Sequence, residues 1–133
     1  MAKEKIEQLN YQFIAVPKKL MIIMDNDCFK LISLLIDEYN YWKSCNKLEN
    51  GYFYKSIEEL QKILFMKNKQ DVRLTIEALH INKLIDVKTV PNHPHKFKVN
   101  WEKILEYDSI KLLDLTKFYQ PITKLKRGTK CTF

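Results

Sequence analysis

The sequence predicts an α+β fold, mainly helical with one small β-hairpin, and three observations predict it. Gly and Pro number only 2 and 4 in 133 residues, which disfavours a turn-rich β-sandwich. Apolar residues recur at helical spacing in several stretches, each opened by an Asp, Ser or Asn. Around residues 84–100 the apolar positions alternate instead, on either side of a loop containing Pro91 and Pro94. With 46% apolar residues the chain suffices for one domain with one core. The layout expected is an N-terminal arm over residues 1–24, a folded domain over 25–116 and a basic tail over 117–133.

Taken in order, residues 11–24 are apolar with Pro17 in their midst, so an extended arm packed on the domain is expected. Asp25 and Asp27 offer cap oxygens to a first helix. Phe29, Ile32, Leu35, Ile36, Tyr39 and Trp42 give that helix one wide apolar face, and it ends near Cys45 and Asn46. Asn50-Gly51 marks a turn, and Tyr52-Phe53-Tyr54 has strand-forming residues over a span suited to a small bridge. Ser56 caps a second helix, and Glu59 three residues on completes a capping box. Ile57, Leu60, Ile63 and Leu64 are its expected buried side.

After a polar break, Asn68 caps a third helix from about residue 69 to 81, with Asp71 placed to suit the helix dipole. Val72, Thr75, Ile76 and Leu79 form its core face. Lys69, Gln70, Arg73, Leu74 and Glu77 form the opposite face, with Lys67 just ahead of it. Residues 84–90 and 96–100 are strands, and Pro91 to His95 make the loop between them. Phe97 and Val99 point inward, leaving Lys88, Lys96 and Lys98 on the outer face. Asn100 caps a fourth helix over 101–115, whose Trp101, Ile104, Leu105, Leu112 and Leu113 cover the core. Three helices with a tight turn between the second and third, closed by a hairpin, make a winged helix-turn-helix.

The net charge of +7 is not spread evenly. Residues 62–103 hold nine Lys and Arg against four Asp and Glu, and residues 117–133 hold five against none. A basic chain with its surplus in one motif and one tail is expected to meet a polyanion. In this fold the third helix enters the major groove by its N-terminal residues. Gln70 and Arg73 suit forked contacts to base edges, with Lys67, Asn68, Lys69 and Leu74 beside them. Lys88, His93, His95, Lys96 and Lys98 of the wing, and Lys124, Lys126 and Arg127 of the tail, are expected on phosphate and sugar. The tail itself is read either as an arm following the backbone or as a segment docked on the domain or a second protomer.

Gly51-Tyr52-Phe53, Leu79, Leu84-Ile85, Pro91 with Pro94, and Phe97-Lys98-Val99-Asn100 also carry a resemblance. Together they resemble the winged-helix domain of replication proteins from Gram-positive phages and mobile elements, including phage replisome organisers and the N-terminal domains of DnaD-like primosome proteins. The resemblance implies a cytoplasmic DNA-binding role in replication initiation. The chain departs from the pattern at Lys83, where the family has Gly. Asn82 is expected to take the left-handed helix stop instead. The segment after the wing is too short for a second, DnaD-type domain, so helicase loading by such a domain is not expected.

Other chemistry finds little support. His93 and His95 with His80 fall short of the four ligands of a structural metal site, so no metal and no cofactor are expected. No phosphate-binding Gly-rich loop or nucleophile elbow is present, and the chain is not expected to be an enzyme. Cys28, Cys45 and Cys131 suit reduced thiols of a cytoplasmic protein. No signal peptide and no apolar run long enough for a membrane span is seen. Double-stranded DNA is the expected partner and single strands the alternative. A dimeric transcriptional regulator, or an interaction module for replication proteins, would use the same domain.

Overall fold

The computed structural model describes residues 16–133, so the expectation of an N-terminal arm lies outside the described residues up to position 15. Where description begins, residues 16–24 are not extended. Pro17 stands at the N-cap of helix α1, Lys18–Ile23. Proline is tolerated there because the first helical turn has no partner for its N–H and its φ is already set. The helix buries Leu20 and Ile23 in the core.

Asp25 accepts a hydrogen bond from the Cys28 N–H at 2.8 Å and starts helix α2, Asn26–Ser44. Cys28, Leu31, Ile32, Leu35 and Ile36 are buried along it. Its far end keeps Tyr39 half-buried, edge-on to Trp101 with ring centroids 6.4 Å apart. Strand β1, Phe53–Lys55, follows a turn in which Gly51 has a φ of +85°. Ser56 then caps helix α3, Ile57–Ile63, accepting from the Glu59 N–H at 3.0 Å. The Ser56 hydroxyl also donates to the Glu59 carboxylate at 3.3 Å, so the capping pair forms as the sequence implies. Ile63 is 45% exposed rather than buried, because α3 ends in its own turn.

Helix α4, Lys69–Ile81, is capped by Asn68, whose side chain accepts from the Asp71 N–H at 2.9 Å. Strands β2, Ile85–Lys88, and β3, His95–Val99, complete a three-stranded antiparallel sheet in the order β1-β3-β2. Phe53, Phe97 and Val87 share one row of that sheet and face the core. The next row, Tyr54, Lys96 and Lys88, faces outward. Alternation places them so, because successive side chains in a strand point to opposite faces.

The single fourth helix expected over 101–115 is two helices. Helix α5 is Trp101–Asp108 and helix α6 is Leu112–Phe118. At the break, the Lys19 ammonium of α1 takes the Asp108 and Ile110 carbonyls, which the ended helix leaves free. Ile104, Tyr107 and Leu115 are buried across the two helices, while Leu105, Leu112 and Leu113, expected to cover the core, are exposed. The described residues thus form an α+β fold of six helices and one small antiparallel sheet, compatible with the winged-helix expectation.

Helix stops reveal another difference from expectation. Asn82 has a φ of −86°, and Lys83 takes the left-handed conformation at +63°. The Lys83 and Leu84 N–H groups donate to the His80 and Leu79 carbonyls, the paired bonds of a Schellman stop. That geometry fixes the residue after the C-cap as the left-handed one, whatever its side chain. Asn82 instead uses its side-chain amide to donate to the Ala78 carbonyl at 2.7 Å.

The last segment is docked. Ile122 is buried, and it forms a parallel bridge to Met24. The Lys124 N–H donates to the second carboxylate oxygen of Asp25 at 2.8 Å. One aspartate therefore caps α2 and anchors the tail.

Candidate nucleic-acid interface

Beyond Lys124 the tail runs along α4 from its N-terminal to its C-terminal end. Lys124 lies 3.3 Å from Asp27 and 3.9 Å from Asp71. The Cys131 thiol donates to the Arg73 carbonyl at 3.6 Å. Thr132 donates from its N–H and its hydroxyl to the two Glu77 carboxylate oxygens, at 2.8 and 2.7 Å. The Phe133 ring meets His80 and His95 edge-on, with centroids 6.4 and 5.6 Å away.

The consequence for α4 is a correction. Leu74 was expected to face outward beside the base-reading residues, and it is fully buried. Glu77, also expected on that face, is 1% exposed. A buried carboxylate needs donors to offset its lost hydration, and Thr132 supplies them. Both residues lie beneath the tail, at the three-residue spacing that one helix face allows. Burial, and then Glu77, raise the Cys131 thiol pKa, so this thiol is held in its protonated form.

The N-terminal end of α4 remains open. Lys67, Lys69 and Gln70 are exposed there, and Arg73 is half-buried. Lys69 pairs with Glu58 at 2.8 Å and, through that hydrogen bond, holds the Glu58 carboxyl below its usual range. Both partners are solvated, so the pair is easily exchanged for another anion. Asn68 is committed to its cap. Lys67, Lys126 and Arg127 have no ion-pair partner within 4 Å among the described residues. These three, with Lys124, line one cleft of about 500 Å³ whose apolar part is Phe65, Met66, Leu74 and Leu125.

The sheet presents the other group of predicted residues. The Lys88 and Lys98 ammonium groups sit 4.8 and 5.7 Å from the centre of the Tyr52 ring. Lys96 sits 5.4 Å from the Tyr54 ring and 3.9 Å from the Glu49 carboxylate. Burial, and then the hydrogen bond donated to Asp86, raise the Tyr52 pKa. His93 is exposed at the hairpin loop. His95 is turned to Phe133 instead of outward, and burial followed by the Arg73 charge lowers its pKa.

The predicted residues are therefore divided. Lys67, Lys69, Gln70, Lys126 and Arg127 are available around the α3–α4 turn, and Lys88, Lys96 and Lys98 are engaged on the sheet. Phe65, in the turn, escaped the sequence reading because an aromatic residue after a helix is ordinarily core. Its signal was positional, since it occupies the helix-stop site at which Gly is usual. Among the described residues no helix is long and apolar enough to cross a membrane. No protein-family model matches this chain, and neither a curated protein nor a solved structure matches it significantly.

Proposed function

We propose that this chain is a winged helix-turn-helix DNA-binding protein without enzymatic activity, acting in replication initiation of a phage or mobile element. The observation that carries the DNA-binding part is the set of unpaired cations, Lys67, Lys126 and Arg127, beside the open N-terminal end of α4. Phosphates would exchange bound counterions for these groups, giving affinity that falls steeply with salt. Base reading would rest on Lys69, Gln70 and Arg73, because Leu74 and Glu77 are closed off by the tail. Lys88, Lys96, Lys98 and His93 would add backbone contacts where the hairpin meets the same duplex. The replication role rests on the resemblance of the 51–100 stretch.

A second reading, a dimeric transcriptional regulator built on the same domain, is favoured by one observation. Leu112, Leu113 and Phe118 of α6 are 53, 80 and 76% exposed, an apolar surface suited to another protein. The deciding experiment titrates the protein against duplex and single-stranded DNA over a series of salt concentrations, with light scattering on the same samples. Duplex binding that weakens when Lys126 and Arg127 are replaced by Ala supports DNA binding. Failure to bind any DNA at about 50 mM salt, where phosphate contacts are strongest, sinks it.

A further inference from the structure

Helix α3 ends with the same stop as α4. The Phe65 N–H donates to the Lys62 carbonyl at 3.3 Å and the Met66 N–H to the Gln61 carbonyl at 3.1 Å. The first of these two donors must be left-handed, and Phe65 has a φ of +54°. Gly adopts this conformation freely, whereas a bulky aromatic side chain adopts it at a cost. The ring gains no burial in return, since Phe65 is 94% exposed, more than any other large apolar residue described. Neither local backbone preference nor core packing accounts for a phenylalanine here.

Its surroundings account for it. Phe65 lines the cleft that also contains Lys67, Lys124, Lys126 and Arg127, the apolar Met66, Leu74 and Leu125, and two carboxylates, Asp27 and Asp71, both of which face Lys124. An exposed aromatic face sharing a cleft with unpaired cations is the combination by which proteins hold unpaired bases, the ring stacking on the base and the cations meeting its phosphates. The size fits as well. The cleft of about 500 Å³ lies within the range of small-molecule sites, whereas two turns of a helix about 10 Å wide displace roughly 850 Å³.

The geometry points to Phe65 as a stacking residue for an unpaired nucleotide, with Lys67, Lys126 and Arg127 on the adjoining phosphates. The ligand is thus a single strand, or the unpaired end or opened step of a duplex. This rests on the DNA-binding reading and adds to it a preference for strands that are not fully paired. Lys124 shapes the cleft wall through Asp27 and Asp71 rather than supplying a free charge.

The test is Phe65→Gly, which relieves the left-handed strain and should raise the unfolding midpoint, so loss of binding will not reflect loss of fold. Wild type, Phe65→Gly, Phe65→Trp and the double variant Lys126→Ala/Arg127→Ala are titrated by anisotropy. The probes are single-stranded oligonucleotides of about 12 nucleotides, blunt duplexes, and duplexes carrying an unpaired end. Phe65→Gly should weaken the single-stranded and unpaired-end probes by roughly 5- to 150-fold, the range for loss of one stacked base, and leave blunt duplex within about twofold. Phe65→Trp should retain binding.

Unchanged single-strand affinity in Phe65→Gly, while Lys126→Ala/Arg127→Ala weakens every probe, would overturn the stacking role and leave DNA binding intact. Absence of binding to all probes would overturn both. A wild-type dimer that becomes monomeric in Phe65→Gly, with DNA affinities unchanged, would assign the ring to a second copy of the chain and overturn the inference equally.

Discussion

The turn between α3 and α4 and the outer face of the sheet both gather lysines, and they dispose of them in opposite ways. On the sheet, each cation is already engaged. Lys88 and Lys98 share the Tyr52 ring, and Lys96 lies between Tyr54 and Glu49. At the turn, Lys67, Lys126 and Arg127 make no ion pair within 4 Å and no cation–ring contact among the described residues. Charge that is counted differs from charge that is available. Only the second kind gives a ligand its full electrostatic gain, because engaged cations must first leave a partner.

The largest effect should come from removing what builds the turn region. Leu74→Ala should cost about 2–5 kcal/mol in denaturant unfolding, since it opens a cavity beneath the tail. Lys88→Ala on the sheet should change stability by no more than about 0.5 kcal/mol. If Leu74→Ala proves as mild as Lys88→Ala, the tail does not seal that face in solution.

Next in size is the charge itself. Replacing Lys126 and Arg127 by Ala should lower the salt slope of duplex binding by about 2, equivalent to roughly 60-fold in affinity at about 0.1 M salt. The matched pair Lys88→Ala/Lys96→Ala should lower the slope by less than about 1, and equal slopes would erase the distinction between the regions. Glu77→Gln acts on the clasp of the tail. An amide offers Thr132 one acceptor in place of two, so thermal unfolding should show a loss of about 1–3 kcal/mol.

Two smaller effects complete the series. Lys83→Gly, at the entry to the sheet, should stabilise the fold by about 0.5–1 kcal/mol without changing DNA affinity, because only the left-handed backbone is relieved. The last is a pH effect. His95 has a lowered pKa in the folded protein, so the unfolded chain binds its proton more readily. Its contribution to stability is full above the ordinary value of 6.5 and is lost as pH falls from there towards the lowered folded value. Unfolding midpoints measured across that window should drop for wild type and stay flatter for His95→Phe.

What the sequence made legible is mostly what neighbours decide. Asp25, Ser56, Asn68 and Asn100 each accept the cap bond their position implies, because the donor lies three residues away. The inward set of Phe97 and Val99 follows equally from alternation. Illegible were the contacts made across the chain. Nothing near Leu74 announces that residues past 124 will cover it, and its polar neighbours argue for exposure. Nothing near Ser109 announces that Lys19 will take the carbonyls that a longer helix would need. The candidate site was half legible for the same reason. Its cations could be named, but their division into engaged and free depends on partners such as Glu49, Tyr52 and Asp71 in other elements.

The tail carries a consequence for the order of assembly. Its anchor joins Lys124 to Asp25 across 99 residues, and its clasp joins Thr132 to Glu77 across 55. Helix caps and the hairpin close over far shorter loops, so they have less chain entropy to overcome. Loop closure alone thus favours an order in which Leu74 and Glu77 are covered last. In refolding followed by pulsed hydrogen exchange, the Thr132 amide should gain protection after the amides of α4. Simultaneous protection of both would show that the tail closes together with the helix it covers.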